Sequence, residues 1–88
     1  MKKMKFSGRE IAVLRAIDFS TGTLGSEIIE RTNIQPEEVL ELLNTLLETG
    51  FVETDPPVQR VEAFAIFETK FEINPSYAHD LKATLLRR

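Results

Sequence analysis

In the first third of the chain, apolar residues recur at intervals of three and four positions, and this spacing predicts helices. Ser7 and Glu10 have the spacing of a capping box, so the first helix is predicted to begin there and to extend to about Asp18. A short second helix is predicted at about residues 25–32. Asn33 then tolerates the left-handed backbone that can join two helices at a sharp angle.

The third helix is predicted over residues 36–49. Pro36 suits the first position of a helix, and Gly50 is a natural stop at its end. Core contacts at helical spacing come from Val39, Leu43 and Leu46. Further leucines at positions 40, 42 and 47 widen the apolar arc to about 160°, which exceeds the stripe that a surface helix normally buries. Other parts of the molecule are therefore expected to cover the flanks of this helix.

After Gly50 the pattern changes to alternation, which is typical of strands. Residues 51–54 are predicted to form one strand, residues 55–57 a break, and residues 61–73 the second strand of a hairpin. Since 13 residues are long for one strand, a bulge, a bend or an extra short strand is expected within the second. Asn74 as N-cap and Pro75 as first helical residue then open a last helix.

Both faces of the second predicted strand carry apolar residues. Alternation places Phe64 and Ile66 on one face, and it places five other apolar residues on the opposite face: Ala63, Ala65, Phe67, Phe71 and Ile73. A strand that is apolar on both sides indicates a second contact surface. The C-terminal helix could fold back over the face of Phe64 and Ile66, or a dimer or partner interface could form on it, and the sequence favours neither.

The predicted elements follow the order of the winged helix-turn-helix: three helices with a tight turn between the second and third, a hairpin and a terminal helix. Residues 32–39, Thr-Asn-Ile-Gln-Pro-Glu-Glu-Val, with Leu43, Leu46 and the Gly-Phe-Val at 50–52, resemble the second half of this motif in multiple-antibiotic-resistance-type and arsenic-repressor-type transcriptional regulators. Residues 71–75, Phe-Glu-Ile-Asn-Pro, resemble the Tyr-x-Leu-Thr segment that closes the wing in many of them. The resemblance covers about residues 7–78.

The resemblance implies an α+β, mainly helical fold with a three-helix core, a β-hairpin wing and a C-terminal helix. The length of 88 residues fits one domain. A single winged-helix domain is therefore expected over residues 1–88, with a short basic N-terminal arm at 1–6 and the C-terminal helix at 75–88. Regulators of this family lay the third helix in the DNA major groove and place the wing on phosphates.

The outward positions of the third helix depart from that family in charge. They are predicted to be Glu37, Glu38, Glu41, Asn44, Thr45 and Glu48. No Lys or Arg occurs between Gln35 and Gln59. At about 100° per residue, four of these positions fall within about 40° and form one acidic stripe: Glu37, Glu41, Asn44 and Glu48. Such a stripe opposes DNA phosphates, and it is either a docking surface for a protein or a solvated helix face.

Basic residues are concentrated at the two ends of the chain, although the formal net charge is −3. Residues 1–10 sum to +3 and residues 75–88 to +2, whereas residues 11–74 carry four bases and twelve acids. The basic ends are either solubilising charge or arms for a polyanion. In the second case, nucleic-acid contacts would come from Lys2, Lys3, Lys5, Arg60, Lys82, Arg87 and Arg88.

The chain offers few groups for catalysis or ligand binding. It has no Cys, which excludes disulfides, thiolate zinc sites and thiol chemistry and is compatible with the cytoplasmic setting that we expect. His79 is the single imidazole, and Ser76 and Asp80 beside it on one predicted helix lack an oxyanion site. No catalytic residue, metal ligand, cofactor or small-molecule pocket is predicted. The longest apolar run, five residues, is too short to cross a membrane.

These observations predict a non-enzymatic binding module of the transcriptional-regulator superfamily that acts through contacts with a protein partner or with a second copy of itself. The candidate interaction residues are Glu37, Glu41, Asn44, Glu48, Phe64 and Ile66. The alternative is a dimeric DNA-binding transcriptional regulator that places its basic termini and wing on phosphates. The residues of the third helix favour the first interpretation, and the resemblance favours the second.

Overall fold

The computed structural model describes residues 5–86, and within them it contains four helices, a short 3-10 helix and three strands. The helices are α1 (Gly8–Ala16), α2 (Gly25–Thr32), α3 (Pro36–Thr49) and α4 (Pro75–Leu86). The strands are β1 (Thr23–Leu24), β2 (Val52–Asp55) and β3 (Lys70–Ile73), and the 3-10 helix is Ala63–Glu68. The strands form one antiparallel sheet in the order β1-β3-β2. The described chain is a small, mainly helical α+β domain.

The predicted capping box begins α1. The Glu10 N–H donates to Ser7 Oγ at 3.2 Å, and the Ser7 N–H donates to Glu10 Oε1 at 2.8 Å. The helix ends at Ala16, before the predicted end at Asp18. Asp18 organises the following turn instead, because its Oδ1 accepts hydrogen bonds from the N–H groups two and three residues later, at 2.7 and 3.0 Å. The predicted start of α1 is confirmed.

The turn between α2 and α3 has the predicted geometry. Asn33 adopts a φ of 59°, in the left-handed region, and its N–H donates to the Ile29 carbonyl at 3.0 Å. α3 begins at Pro36 and stops before Gly50, where φ is 90°. Asn and Gly are the residues that tolerate such φ values most readily. The predicted second and third helices are confirmed.

Strand β1 is an element that the sequence pattern does not predict, since two residues cannot show alternation. Thr23 pairs with Phe71 of β3. The ladder continues past β1, because the Gly25 N–H donates to the Thr69 carbonyl at 2.9 Å. β3 is therefore the central strand, with β1 on one side and β2 on the other.

The second predicted strand, residues 61–73, is wrong over most of its length. Lys70–Ile73 is a strand and pairs with β2 in the predicted antiparallel manner, whereas Ala63–Glu68 is a 3-10 helix. A 3-10 helix repeats every three residues rather than every two, so different side chains share a face. Phe64 and Phe67 lie on the exposed side, 88% and 50% exposed, whereas Ile66 is 2% exposed. The prediction that Ile66 shares an exposed face with Phe64 is therefore wrong.

Two contacts from distant parts of the chain hold the 3-10 helix in place. A Cβ at Gly25 would lie 1.9 Å from the Ile66 carbonyl oxygen, so α2 approaches the backbone of the 3-10 helix as closely as only glycine allows. Just before the 3-10 helix, the Asn44 side chain on α3 hydrogen-bonds to both backbone groups of Val61. Neither contact is local in sequence. Tertiary structure therefore overrides the local alternation that predicts a strand here.

The core lies between the helices and the sheet. Its fully buried side chains are Val13, Leu14, Ile28, Val39, Leu43, Leu46, Val52, Phe71 and Leu81. The leucines at positions 40, 42 and 47 are half-buried and pack against this core, so the flanks of α3 are covered as expected. α4 contributes Leu81 to the core, and it leaves Phe64 exposed. The possibility that α4 folds back over Phe64 is therefore wrong.

The two chain ends are described in part. Residues 1–4 of the predicted N-terminal arm and residues 87–88 of the predicted C-terminal helix lie outside the described residues. Phe6 packs edge-on against Phe51, with ring centroids 5.2 Å apart, and Phe51 in turn contacts Tyr77 of α4 at 4.8 Å. These three rings link the start of α1, the start of β2 and α4. The Ser76 N–H donates to Asn74 Oδ1 at 3.0 Å, as an N-cap at Asn74 requires.

Candidate functional site

The exposed side of α3 carries acidic residues that the sequence identifies. Glu37, Glu41 and Glu48 are exposed, and Thr45 is exposed on the same side. We call these four residues the acidic face. Among residues 5–86, no basic side chain forms an ion pair with any of the three carboxylates. The acidic face therefore presents uncompensated negative charge to solvent.

Glu38 differs from the other glutamates of α3. It is half-buried, and its carboxylate pairs with the guanidinium of Arg9 on α1. This ion pair joins the first turns of two helices, where a carboxylate also complements the positive end of the α3 dipole. Glu38 therefore contributes to the contact between α1 and α3 rather than to the acidic face.

The sequence places Asn44 on the acidic stripe, and this prediction is wrong. Asn44 is 8% exposed. Its Nδ2 donates to the Val61 carbonyl at 3.0 Å, and its Oδ1 accepts from the Val61 N–H at 2.8 Å. Both buried backbone groups of Val61 are thereby paired, which offsets the cost of burying polar atoms. The helical spacing gives the direction of Asn44 correctly, but it cannot show that the chain after β2 crosses α3 there.

An open groove of about 730 Å³ lies between the C-terminal half of α3, strand β2 and residues 57–60. This volume is within the range of roughly 300–1,000 Å³ that is typical of ligand sites. The charged residues that line the groove are Glu48, Glu53 and Arg60. The sequence does not predict this groove, because its walls come from segments that only the tertiary fold brings together. The groove is therefore a candidate binding surface that the structure reveals beyond the surfaces predicted from the sequence.

A smaller hollow of about 310 Å³ shares Val58 and Arg60 with the lining of the groove. Its charged lining residues are Asp55, Glu62 and Glu68, together with Arg60, which lines the groove as well. Within the part of the chain that the structure describes, Arg60 is the one basic residue that lines either concavity. Carboxylates therefore dominate the charge of both concavities.

The basic candidates for nucleic-acid contacts number seven, and the three that the structure describes do not lie together. Four of them lie outside the described residues: Lys2, Lys3, Arg87 and Arg88. Lys5 is exposed ahead of α1, and Lys82 on α4 places its Nζ 5.6 Å from the centroid of the Phe19 ring. Neither lysine lines the groove with Arg60. The structure thus does not combine Lys5, Arg60 and Lys82 in one concavity.

The 3-10 helix presents a small apolar surface formed by Phe64 and Phe67. Both side chains are exposed, and exposed carboxylates precede and follow them in Glu62 and Glu68. Of the two apolar interaction candidates, the structure leaves Phe64 on the surface and takes Ile66 into the core. Phe67 is a surface residue that the alternating pattern misses, and the three-residue repeat of the 3-10 helix places it beside Phe64.

One carboxylate in residues 5–86 has a clearly shifted pKa. Hydrogen bonds from the N–H groups of Ser20 and Thr21 hold the pKa of Asp18 below its ordinary value of 3.8. Asp18 lies in the turn between α1 and β1, so the shift reflects that turn rather than a reactive site. His79 is exposed on α4. No three His, Asp or Glu side chains of the described chain converge on a possible metal position.

The acidic face and the groove are continuous, because Glu48 belongs to both. None of the helices within residues 5–86 has the length and apolar character needed to cross a membrane. Comparisons with protein-family models, with curated protein sequences and with solved structures find no match to this chain. The geometry and charge of the surface formed by α3, β2 and residues 57–60 are therefore the observations on which function is inferred.

Proposed function

We propose that this chain is a non-enzymatic winged-helix binding module that recognises a basic protein partner through the acidic face. The order of elements, with one strand before α2 and two after α3, supports the winged-helix part of the proposal, as does the β1-β3-β2 sheet. The left-handed turn at Asn33 corresponds to the joint of a helix-turn-helix. Residues 56–69 would be the wing, and in this chain they contain a 3-10 helix.

The charge of the acidic face is the observation that carries the proposal. Glu37, Glu41 and Glu48 are exposed on the helix that winged-helix regulators lay in DNA, and no basic side chain of residues 5–86 neutralises them. A DNA backbone would bring further negative charge to this surface, which is unfavourable. Lysine and arginine side chains of a protein would meet complementary charge, which speeds association and excludes wrong partners.

A DNA-binding regulator is the second candidate, and Arg60 is the observation that favours it. Arg60 is exposed in the connection between β2 and β3, where a wing would contact phosphates. However, Arg60 shares the groove with Glu48 and Glu53, and a phosphate that approaches the guanidinium also approaches these carboxylates. The surroundings of Arg60 therefore favour a cationic ligand over DNA.

The double variant Glu37→Gln/Glu41→Gln tests the proposal. It removes two charges from the acidic face and keeps the size of both side chains. The matched control is Glu30→Gln/Asp80→Asn, which removes two exposed charges from α2 and α4 and gives the same net charge. We expect the face variant to bind polylysine about three- to tenfold more weakly than the control at low salt, in line with the strength of exposed ion pairs.

Two results would contradict the proposal. Equal affinity of the face variant and the control for polylysine would show that only net charge matters. Salt-dependent binding of random-sequence duplex DNA that becomes tighter in the face variant would instead support the DNA-binding regulator, because removal of repelling carboxylates would then strengthen phosphate contacts.

A further inference from the structure

The smaller hollow beside the groove combines an apolar lining with carboxylates. Its volume of about 310 Å³ lies at the lower end of the range that is typical of ligand sites, and it suits one long side chain rather than a larger ligand. The apolar residues of the lining are Pro56, Val58, Val61 and Ala65. Pro56 and Val58 are exposed, Ala65 is half-buried and only Val61 is buried. Most of the apolar lining is therefore accessible from solvent.

The 3-10 helix supplies one side of the hollow through its three-residue repeat. Side chains three positions apart nearly eclipse each other in such a helix. Glu62, just before the helix, has this spacing with Ala65 and Glu68, and all three residues line the hollow. Phe64 and Phe67 have a different phase in the repeat and line neither concavity. Two exposed carboxylates therefore flank a small apolar side chain in the wall of the hollow.

The carboxylates of the hollow lack a paired cation. They belong to Asp55, Glu62 and Glu68, and none of them forms an ion pair within residues 5–86. Lys70 lies opposite Asp55 in the ladder, but its Nζ pairs with Glu72 at 3.8 Å. Arg60 lines the hollow, and its guanidinium likewise forms no ion pair with a described carboxylate. The hollow therefore carries negative charge that a ligand can neutralise.

This combination selects a cation on an apolar stem. Long basic side chains place their methylene groups against apolar surface and keep the charged head at the rim. A bare metal ion does not fit, since no three His, Asp or Glu side chains of the described chain converge on a possible metal position. A guanidinium suits the hollow better than an ammonium, because it is more weakly hydrated and has five donors that reach carboxylates on different sides.

We infer that the hollow binds an arginine side chain of a protein partner, with the methylene stem against the apolar lining and the guanidinium among the three carboxylates. The inference rests on the proposed function, because it supplies a second contact for the same basic partner. The hollow shares Val58 and Arg60 with the groove, and the groove shares Glu48 with the acidic face. The three surfaces are therefore continuous, and one basic partner can span them.

The described arginines of a second copy of this chain do not supply that side chain. The guanidinium of Arg9 pairs with a carboxylate of its own chain. Those of Arg15 and Arg31 donate to main-chain carbonyls at 2.6 and 2.8 Å. Arg60 lies in the hollow itself, and two hollows of the same charge would repel each other. The arginine is therefore assigned to a different protein.

Short blocked peptides test the inference: Gly-Ser-Arg-Ser-Gly and the same sequence with lysine or citrulline in place of arginine. Citrulline keeps the shape of arginine and removes its charge. Methyl resonances of Val61 and Ala65 report the affinity in a titration, since both residues line the hollow and neither lines the groove. Relative to the arginine peptide, we expect the citrulline peptide to bind at least about fivefold more weakly and the lysine peptide about two- to threefold more weakly.

A charge variant locates the guanidinium. Glu62→Gln/Glu68→Gln removes two carboxylates of the hollow and keeps the size of both side chains. The matched control is again Glu30→Gln/Asp80→Asn, which gives the same net charge. We expect the hollow variant to bind the arginine peptide about three- to tenfold more weakly than the control, in line with the strength of exposed ion pairs.

A size variant locates the methylene stem. Ala65→Leu adds apolar volume in the hollow without a change of charge, and we expect it to weaken binding of the arginine peptide at least about tenfold, as read from the Val61 methyl resonances. Ala63→Leu is the matched control, because Ala63 is exposed on the same 3-10 helix and lines neither concavity. If urea unfolding shows that Ala65→Leu does not fold, the charge variant decides the test.

The outcomes separate this inference from the proposed function. Equal affinity of the arginine and citrulline peptides, or of the hollow variant and its control, would overturn the inference, even where affinity for polylysine still depends on Glu37 and Glu41. Tighter binding of the lysine peptide would overturn the assignment to arginine. A dimer in light scattering that the hollow variant dissociates would show that a second copy fills the hollow, which also overturns the inference. If the peptides behave as expected while polylysine is indifferent to Glu37 and Glu41, the proposed function fails and the arginine site stands alone.

Discussion

Asn44 and Phe64 invert the usual relation between polarity and burial. Asn44 is a polar residue in the middle of α3 and is 8% exposed, whereas Phe64 is an aromatic residue on the 3-10 helix and is 88% exposed. Asn44 can be buried because its side-chain amide pairs with both backbone groups of Val61. Phe64 is exposed because the three-residue repeat takes Ile66 inward instead. Hydrogen-bond partners and backbone period therefore decide burial in these two regions.

The two regions also differ in what they contribute to function. The Asn44–Val61 pair fixes the chain to α3 next to residues 57–60, which form a wall of the groove. The region around Phe64 contributes exposed surface, and its anchor is the close approach of Ile66 to Gly25. Substitutions at the two anchors should therefore destabilise the fold, whereas substitutions at the exposed residues should act on binding alone.

The substitution Gly25→Ala has one of the two largest expected effects, together with the truncation of Ile66. The added Cβ would lie 1.9 Å from the Ile66 carbonyl oxygen, so α2 and the 3-10 helix must separate. We expect the free energy of unfolding in urea to fall by about 3 kcal/mol, at the upper end of overpacking effects. Gly8→Ala is the control, since nothing lies within 4 Å of a Cβ at Gly8. A loss below about 1 kcal/mol for Gly25→Ala would contradict the close approach of the two elements.

The pair Ile66→Ala and Phe64→Ala tests the 3-10 helix against the alternating strand. Ile66 is buried, so its truncation should lower the free energy of unfolding by about 2–4 kcal/mol. Phe64 is exposed, and its truncation should change stability by less than about 0.5 kcal/mol. Chemical denaturation of both variants measures the difference. Similar losses in the two variants would indicate that the residues share one environment, as a strand would require.

The substitution Asn44→Ala should remove both hydrogen bonds to Val61 and leave its backbone groups buried without partners. We expect a loss of about 2–3 kcal/mol in the free energy of unfolding. Thr45→Ala is the control at the next position, where the side chain is exposed and the effect should stay within about 0.5 kcal/mol. Equal stability of the two variants would show that Asn44 is a surface residue, as its place in the acidic stripe predicts.

The smallest expected effect concerns Asp18, an exposed polar residue that pairs with backbone as Asn44 does. Its pKa is held below 3.8 by the N–H groups of Ser20 and Thr21, so the charged form stabilises the fold at pH values above 3.8. This contribution is lost as the pH falls through the lowered pKa. Thermal unfolding of the wild type and of Asp18→Asn should therefore differ near neutral pH and converge in acid. A difference that grows in acid would contradict the sign of the shift.

The helices could be predicted from the sequence because their determinants are local. Ser7, Asn33, Pro36 and Gly50 set helix ends through their own backbone or capping preferences, and each is found where predicted. Residues 61–69 could not be predicted, because their conformation depends on contacts with Gly25 and Asn44, which lie at least 17 positions away along the chain. The apolar pattern of these residues alternates every two positions, whereas the 3-10 helix that they form repeats every three.

The residues of the candidate site likewise separate into those that the sequence predicts and those that it does not. The exposed glutamates of α3 follow from helical spacing, and Glu37, Glu41 and Glu48 are found on the surface as predicted. Asn44 and Ile66 are buried by segments that cross them, and the groove exists only where β2, α3 and residues 57–60 meet. The direction in which a side chain points from its own helix is therefore predictable from the sequence. Whether another segment of the chain buries that side chain depends on the tertiary fold.

A salt titration of the wild-type protein with polylysine and with random-sequence duplex DNA, carried out side by side from low salt, tests most directly whether the acidic face selects a basic partner. We expect affinity for polylysine that falls as salt increases, since exposed charges are screened, and no binding of DNA even at the lowest salt, where phosphate contacts are strongest. Steeply salt-dependent binding of DNA without binding of polylysine would contradict the claim that the acidic face selects a basic partner.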